Sequence, residues 1–318
     1  MVKDRGETEL VEGRVLRAAS GRFLVGDGEQ VIPCHLRGRI KKERQRRVRN
    51  VVPGDLVLVR LTGALPRPES EGVIEEVLPR SSQLSRTSPG GRREQVLMAN
   101  PERIFVVMAT REPAFNARLL DRFLVAIENQ NLEAVICLNK CDLASPAERV
   151  SMISPYRAAG YPALMLSALT GEGVPRLADA MAGRLSLFLG PSGSGKSSLL
   201  QRIQPGLEIA TRAVSGASGK GRHTTSVTEL HPLDRGGYVA DSPGVREFGL
   251  WGLDERDLAG CFPEFRPHLG TCRFPDCTHS HEPDCGLRRA AEERAFDPRR
   301  YESYLRILES LREGDLAL

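Results

Sequence analysis

Hydrophobic and polar positions alternate along residues 9–80, between turns that contain glycine. Leu10-Val11-Glu12-Gly13-Arg14-Val15 opens the pattern, and Gly21 to Val25, Gln30 to Cys34, Asp55 to Val59 and Gly72 to Val77 continue it. A period of two marks strands with one buried face. Five such strands in this length predict a small β-barrel of the OB type over residues 1–80. Residues 81–101, with Ser81, Ser82, Ser85, Ser88, Pro89 and Gly90-Gly91, read as a linker. Beyond them alternation gives way to continuous apolar runs: Ile104 to Met108, Ala134 to Leu138, Ala163 to Leu166, Leu185 to Leu189 and Tyr238 to Ala240. Such runs belong to strands buried on both faces. Amphipathic stretches such as Leu119 to Glu128 separate them, so residues 102–253 are expected to form an α/β domain with a mostly parallel sheet. Residues 254–318 are loop-rich and end in a helical pattern from Tyr301 to Leu311.

A chain of 318 residues with 40% hydrophobic and 27% charged positions suits two or three globular domains. No run of about 18 apolar residues appears, so no membrane partner is expected. Met1-Val2-Lys3-Asp4-Arg5 leads into charged residues rather than an apolar signal core, which points to a cytoplasmic location. The net charge of +4 is uneven, at +4 over residues 1–80 and −3 over residues 255–318. Within the basic front, Arg37, Arg39, Lys41, Lys42, Arg44, Arg46, Arg47 and Arg49 face one acid, Glu43. Lying between predicted barrel strands, this run is a candidate footprint for RNA phosphates. No aromatic interleaves it, so backbone contacts rather than base stacking are expected. The 39 Arg against 6 Lys follow genome base composition as readily as RNA binding, and carry no functional weight.

Gly190-Pro191-Ser192-Gly193-Ser194-Gly195-Lys196-Ser197 fits the pattern G-x-x-x-x-G-K-[ST] between a predicted strand and the helical Ser198-Leu199-Leu200. Its backbone N–H groups would wrap phosphates at a helix N-terminus. Lys196 would reach the β- and γ-phosphates, and the Ser197 hydroxyl would ligate Mg²⁺. Which base is bound is read elsewhere. Asn139-Lys140-Cys141-Asp142, at a strand end, fits N-K-x-D. A carboxylate there accepts from the guanine N1–H and N2–H₂, which adenine does not offer. Ser167-Ala168-Leu169 fits the loop that supports the base. Asp241-Ser242-Pro243-Gly244 fits D-x-x-G, with Asp241 reaching Mg²⁺ through water and the Gly244 amide facing the γ-phosphate. Any one match is weak, but four at strand ends identify a GTPase. Their order is permuted, the base readers preceding the phosphate loop. The sheet can close as usual if the old termini join between Ser167 and Leu185 and a new break comes after Asp241 to Gly244.

Seven cysteines are unevenly placed, and Cys272, Cys277 and Cys285 fall within fourteen residues beside His279 and His281. In a cytosolic chain this suggests metal rather than disulfides. Three thiolates and one imidazole make a closed tetrahedral Zn²⁺ site, one per chain, of structural type. Spacing alone does not choose between His279 and His281, and Cys261 and His268 are also near.

On these motifs and their order the chain resembles the RsgA/YjeQ family of circularly permuted GTPases that act in maturation of the small ribosomal subunit. The likeness covers nearly the whole chain: OB-like front, permuted P-loop GTPase centre and zinc-binding, mostly helical C-terminal domain. It implies GTP and GDP as ligands, the small subunit and its rRNA as partners, and His279 as the fourth zinc ligand. Gly221-Arg222-His223-Thr224-Thr225 is similar to the family's first switch, and Asp241 to Leu250 to its second. One of Thr224 and Thr225 would ligate Mg²⁺, and the resemblance favours Thr225. Val245 stands where many GTPases place a Gln that orients the attacking water, and valine cannot do so. Intrinsic hydrolysis is therefore expected to be slow, with His223 the candidate to position the water. Gly193 occupies the place of the P-loop Asn that recruits K⁺ elsewhere, so no K⁺ dependence is expected. A monomer is expected. An RNA-binding assembly chaperone with mainly structural nucleotide is the alternative, and an ATP-dependent enzyme with an accidental N-K-x-D a third. Replacing His223 with Ala should sharply reduce subunit-stimulated turnover and spare nucleotide binding. Unchanged stimulated turnover rejects the role.

Overall fold

In the computed structural model, which describes residues 10–37, 50–61, 72–87, 94–207, 228–241 and 252–314, the early alternation closes a barrel. Strands β1 (Leu10–Ala19), β2 (Arg22–Gly26), β3 (Val31–Leu36), β4 (Leu56–Leu61) and β5 (Gly72–Val77) run in the order β1-β2-β3-β5-β4, and β4 pairs back onto β1. Val15, Phe23, Val25, Ile32, Val57, Val59 and Ile74 fill the interior. Five strands closed in this order are the OB arrangement expected from the pattern.

The segment expected as a linker carries a hairpin, β6 (Gln83–Thr87) against β7 (Glu94–Ala99). Its Ser, Pro and Gly content hid two anchors: Leu84 and Met98 are each 1% exposed and pack into the core of the α/β domain.

The apolar runs form a sheet in the order β10 (Ala163–Met165), β9 (Ala134–Asn139), β8 (Arg103–Ala109), β11 (Arg184–Leu189), β13 (Gly237–Asp241), β12 (Glu229–Pro232). All neighbours are parallel except β12, which is antiparallel to β13. Both faces are covered, as continuous apolar strands require. Helix α1 (Ala117–Glu128) lies on the face of Ile104, Val106 and Met108, while α3 (Val174–Met181) and α4 (Lys196–Ile203) cover Phe105 and Val107. Helix α2 (Pro146–Ala158) starts at a Ser145–Glu148 capping box and rests on Leu138 through Ile153. The stretch between Ser167 and Leu185 is bridged by α3, which returns the chain to the sheet at β11.

The barrel is joined to this sheet. Arg17 of β1 pairs with Glu229 of β12. The β1–β2 register slips between Val15 and Arg17, and a bulge of this kind re-aims side chains. Val15 and Ala18 both pack in the barrel, and Leu16 enters the core of the α/β domain. A second joint forms at Gly54 (φ +92°), where a Cβ would lie 1.9 Å from the Ala99 carbonyl oxygen. Only glycine fits such an approach at positive φ. Asn100 Nδ2 donates to Gly54 O at 3.0 Å, and buried Asp55 accepts from Arg80 Nε at 2.7 Å.

Beyond β13, the described chain resumes at Gly252 and packs on the α1 side of the sheet through two 3-10 turns (Leu258–Cys261, Pro263–His268), α5 (Gly286–Glu292) and α6 (Pro298–Arg312). Phe262 stacks on Phe265 at 4.7 Å, with Tyr304 edge-on to both. Beside them Arg300 of α6, 2% exposed, pairs with Asp121 of α1 and donates to Glu264 Oε1 at 2.6 Å. Its guanidinium lies over the rings of Phe262 (4.6 Å) and Tyr156 (5.2 Å). Among the described residues no helix is long and apolar enough to cross a membrane.

Replacing Arg300 with Ala leaves Asp121 and Glu264 buried without their cation. The expected loss is about 3–5 kcal/mol in the chemical unfolding transition that reports the C-terminal domain. A loss below about 1 kcal/mol, the scale of an exposed pair, rejects the network as the docking contact.

Candidate nucleotide site and metal cluster

The phosphate loop leaves β11 at Leu189 and enters α4 at Lys196, as its pattern requires. Gly190 has φ +137°, and a Cβ there would meet Val107 O at 2.1 Å. Gly195, at φ +93°, lies so close to Asn139 that a Cβ would stand 2.2 Å from its Nδ2. The Lys196 ammonium donates to Gly190 O at 2.8 Å and Pro191 O at 2.9 Å, folded over the loop it belongs to.

Asn139, the last residue of β9, is 1% exposed. Its Nδ2 donates to Ser194 O at 2.8 Å, and its Oδ1 accepts from Ala168 N at 3.3 Å. One side chain thus ties the guanine motif to the phosphate loop and to the Ser167-Ala168 loop. Lys140 comes next in a left-handed conformation (φ 58°), and its Nζ donates to the Glu112 carbonyl. Asp142 lies in the short 3-10 turn Cys141–Leu143, and its Oδ1 accepts from Ser167 Oγ at 2.5 Å. Asp142, Ser167 and Ala168, expected around the base, are therefore brought together. The β11–β13 register pairs Leu187 with Ala240, so the two strands end side by side where the loop from Gly190 begins.

His223, Thr224, Thr225, Gly244 and Val245 lie outside the described residues, as do Arg39, Lys41, Lys42, Arg44, Arg46, Arg47 and Arg49 of the basic run. Arg37 ends β3's extension with an exposed guanidinium paired to Glu75. Motif reading missed Thr110, which succeeds β8 and bonds the carbonyls of both Asn139 and Lys140. No pattern marks it; the only signal is a polar residue ending an apolar strand.

The ligand atoms of Cys272, Cys277, His279 and Cys285 all lie within 4.8 Å of one another, a cluster that could hold a metal ion. Cys272 Sγ stands 3.7 Å from Cys285 Sγ and 3.3 Å from His279 Nδ1, and His279 Nδ1 is 3.4 Å from Cys285 Sγ. A tetrahedron with metal–sulfur bonds of about 2.3 Å has edges of about 3.8 Å, so the donors fit. The rival His281 is exposed and faces Ser280 Oγ at 2.9 Å. Burial, with the neighbouring thiols, pushes Cys277 up to about 12. Burial also opposes ionisation of Cys272, yet N–H groups of Gly286 and Leu287 hold it below the ordinary thiol value. A bound cation would favour the thiolate form of all three. The supporting shell escaped the motif reading. Tyr301 and Tyr304 hydroxyls donate to the carbonyls of His279 (2.7 Å) and Thr278 (2.5 Å), and Glu282 accepts from the amides of Thr278, Ser280 and His281.

The family model described as RsgA GTPase matches residues 77–251. A protein of Gemmatimonas aurantiaca named small ribosomal subunit biogenesis GTPase RsgA is 46% identical, the match covering 96% of this chain and 98% of that one. Its namesake in Caldanaerobacter subterraneus is 37% identical over the same shares. The crystal structure of YjeQ from Thermotoga maritima superposes with TM-score 0.78 at 31% identity, over 95% of this chain and 99% of that one. YloQ, titled a circularly permuted GTPase, gives TM-score 0.75 at 26% identity over 98% and 99%.

Chelation should lower the melting midpoint of the chain, because metal that binds only the folded cluster adds its binding energy to folding. Zinc absent from elemental analysis, together with an unchanged melting profile, rejects the cluster as a zinc site.

Proposed function

The chain belongs to the RsgA GTPase family and is a GTPase, and from that premise we propose that it hydrolyses GTP during late maturation of the small ribosomal subunit. In this reading it binds rRNA, turns over faster on the subunit and leaves after hydrolysis. The observation that carries it is the Asn139 bridge: a base-reading turn and a phosphate loop 55 residues apart share one buried amide. That arrangement supports a single guanine-nucleotide pocket built from motifs in permuted order.

The residues divide the work by chemistry. Asp142 accepts from the guanine edge, with Ser167 fixing its carboxylate and the Ala168 amide beside the base. Backbone amides from Gly190 to Ser198 surround the phosphates, and Lys196 turns from its loop carbonyls to the β- and γ-oxygens. Ser197, Thr225 and, through water, Asp241 would hold Mg²⁺, which neutralises charge developing on the phosphates. The Gly244 amide faces the γ-phosphate, and His223 positions the attacking water in place of the Gln that Val245 lacks. Cys272, Cys277, His279 and Cys285 would hold a zinc ion that ties the C-terminal loops together. Arg37 and the basic residues after it contact rRNA phosphates from the barrel.

GTP turnover measured with and without purified small subunits tests the reading, with many-fold stimulation expected. A rate unmoved by subunits favours the RNA-binding chaperone with structural nucleotide. Subunit affinity should also differ between the GDP form and a form loaded with a non-hydrolysable GTP analogue, and equal affinities count against a nucleotide-controlled cycle.

A further inference from the structure

We infer that Thr110 is a positioning residue for guanine selectivity, acting through the turn that carries Asp142. The inference rests on the proposed role of Asp142 as the reader of the guanine edge. Thr110 is 2% exposed and stands directly after the last residue of β8. Its backbone N–H donates to Asn139 O at 3.0 Å, continuing the β8–β9 pairing by one step. Its Oγ1 donates to Lys140 O at 2.6 Å. The same carbonyl accepts from Leu143 N at 3.0 Å, the bond that closes the 3-10 turn containing Asp142. Thr110 therefore links the turn itself, not merely the strand before it, to the central strand of the sheet.

The turn needs such a tie. Lys140 is left-handed, a conformation that non-glycine residues adopt at a cost and hold only when neighbours over-determine it. Thr110 and the Lys140–Glu112 contact pin it from the same loop, residues 110–112. Asp142 is aimed by this geometry from one side and by Ser167 Oγ from the other. Guanine presents two donors to a carboxylate, N1–H and the N2 amine, whereas hypoxanthine keeps only N1–H. A carboxylate that drifts loses the two-point contact first. The affinity ratio of guanosine to inosine nucleotides thus reads the aim of Asp142, apart from phosphate binding, which both ligands share.

Thr110→Val keeps the β-branched shape and the backbone bond and deletes only the hydroxyl. Because Lys140 O retains the Leu143 amide, the turn still folds, untied from β8. The expected result, by equilibrium titration of the full chain, is a fall of about fivefold in GDP affinity, the scale of one hydrogen bond. Inosine diphosphate affinity should move little, so the ratio narrows. Thr110→Ser, which keeps the hydroxyl, should hold the wild-type ratio and so report even if the valine variant folds poorly. A Thr110→Val ratio equal to wild type, an equal loss for both nucleotides, or a narrowed ratio in Thr110→Ser overturns the proposal. Asp142→Asn separates it from its premise, since an amide at that position should turn preference toward xanthosine diphosphate. If it does so while the Thr110→Val ratio stays put, Thr110 alone is wrong. If it does not, the reading of Asp142 fails and this proposal with it.

Discussion

Buried at the end of β9, the amide of Asn139 must pair both its donor and its acceptor, because an unmet polar group there costs about 1–3 kcal/mol. It finds partners in Ser194 and Ala168, on loops that lie after it in the chain and on either side of it in space. The rest of the pocket is arranged around that requirement. Gly195 has no side chain because one would occupy the Asn139 nitrogen. Lys140 turns left-handed immediately after, and the short 3-10 turn then presents Asp142 to Ser167. A change in chain order leaves these bonds intact, since they depend on where strands end and not on which strand comes first.

Permutation instead alters the route of the chain beyond its D-x-x-G segment. The chain leaves β13 at Asp241 and goes on to a domain docked against α1. That dock is centred on an ion pair, not on an apolar seam alone. Arg300 brings its charge into the interior, where desolvation is costly and, among the described residues, two carboxylates and two aromatic faces compensate it. Buried pairs of this kind are weak arguments for stability, but breaking one is expensive, so orientation is held firmly. The exposed contact at the same boundary between Arg266 and Glu128 adds little beside it.

Much of the architecture was legible in the residues. Barrel strands announce themselves by alternation, the parallel strands by runs like Ile104 to Met108, and the nucleotide loops by glycines that chemistry and φ both require. The Cys/His spacing pointed to a cluster that the fold brings within bonding range of one ion, with His279 inside it and His281 outside. The features that stayed hidden have a common cause: contacts between segments distant in sequence leave no local period. Leu84 and Met98 sit among Ser, Pro and Gly; Arg300 and Asp121 look like exposed charges on helices. Strand β12 is four residues long and ends in Pro232, too short and too polar for its pattern to be seen. Thr110 resembles any residue at the end of a strand until its hydroxyl is found on Lys140.

The bulge at Leu16 has a consequence for how the chain is made. A strand from the first part of the molecule supplies the neighbour of β12, more than 200 residues later. Closing so long a loop is entropically slow, and domains emerging from the ribosome fold in order. The barrel can close on its own strands as soon as β5 has been synthesised, but Leu16 belongs to the core of the α/β domain, which is completed later. That core draws on Leu230 of β12 and Ala240 of β13, so it is unfinished until both strands have joined the sheet. The finished barrel therefore seats on the sheet only after β12 has been made, and a chain truncated before Glu229 leaves β1 without that neighbour.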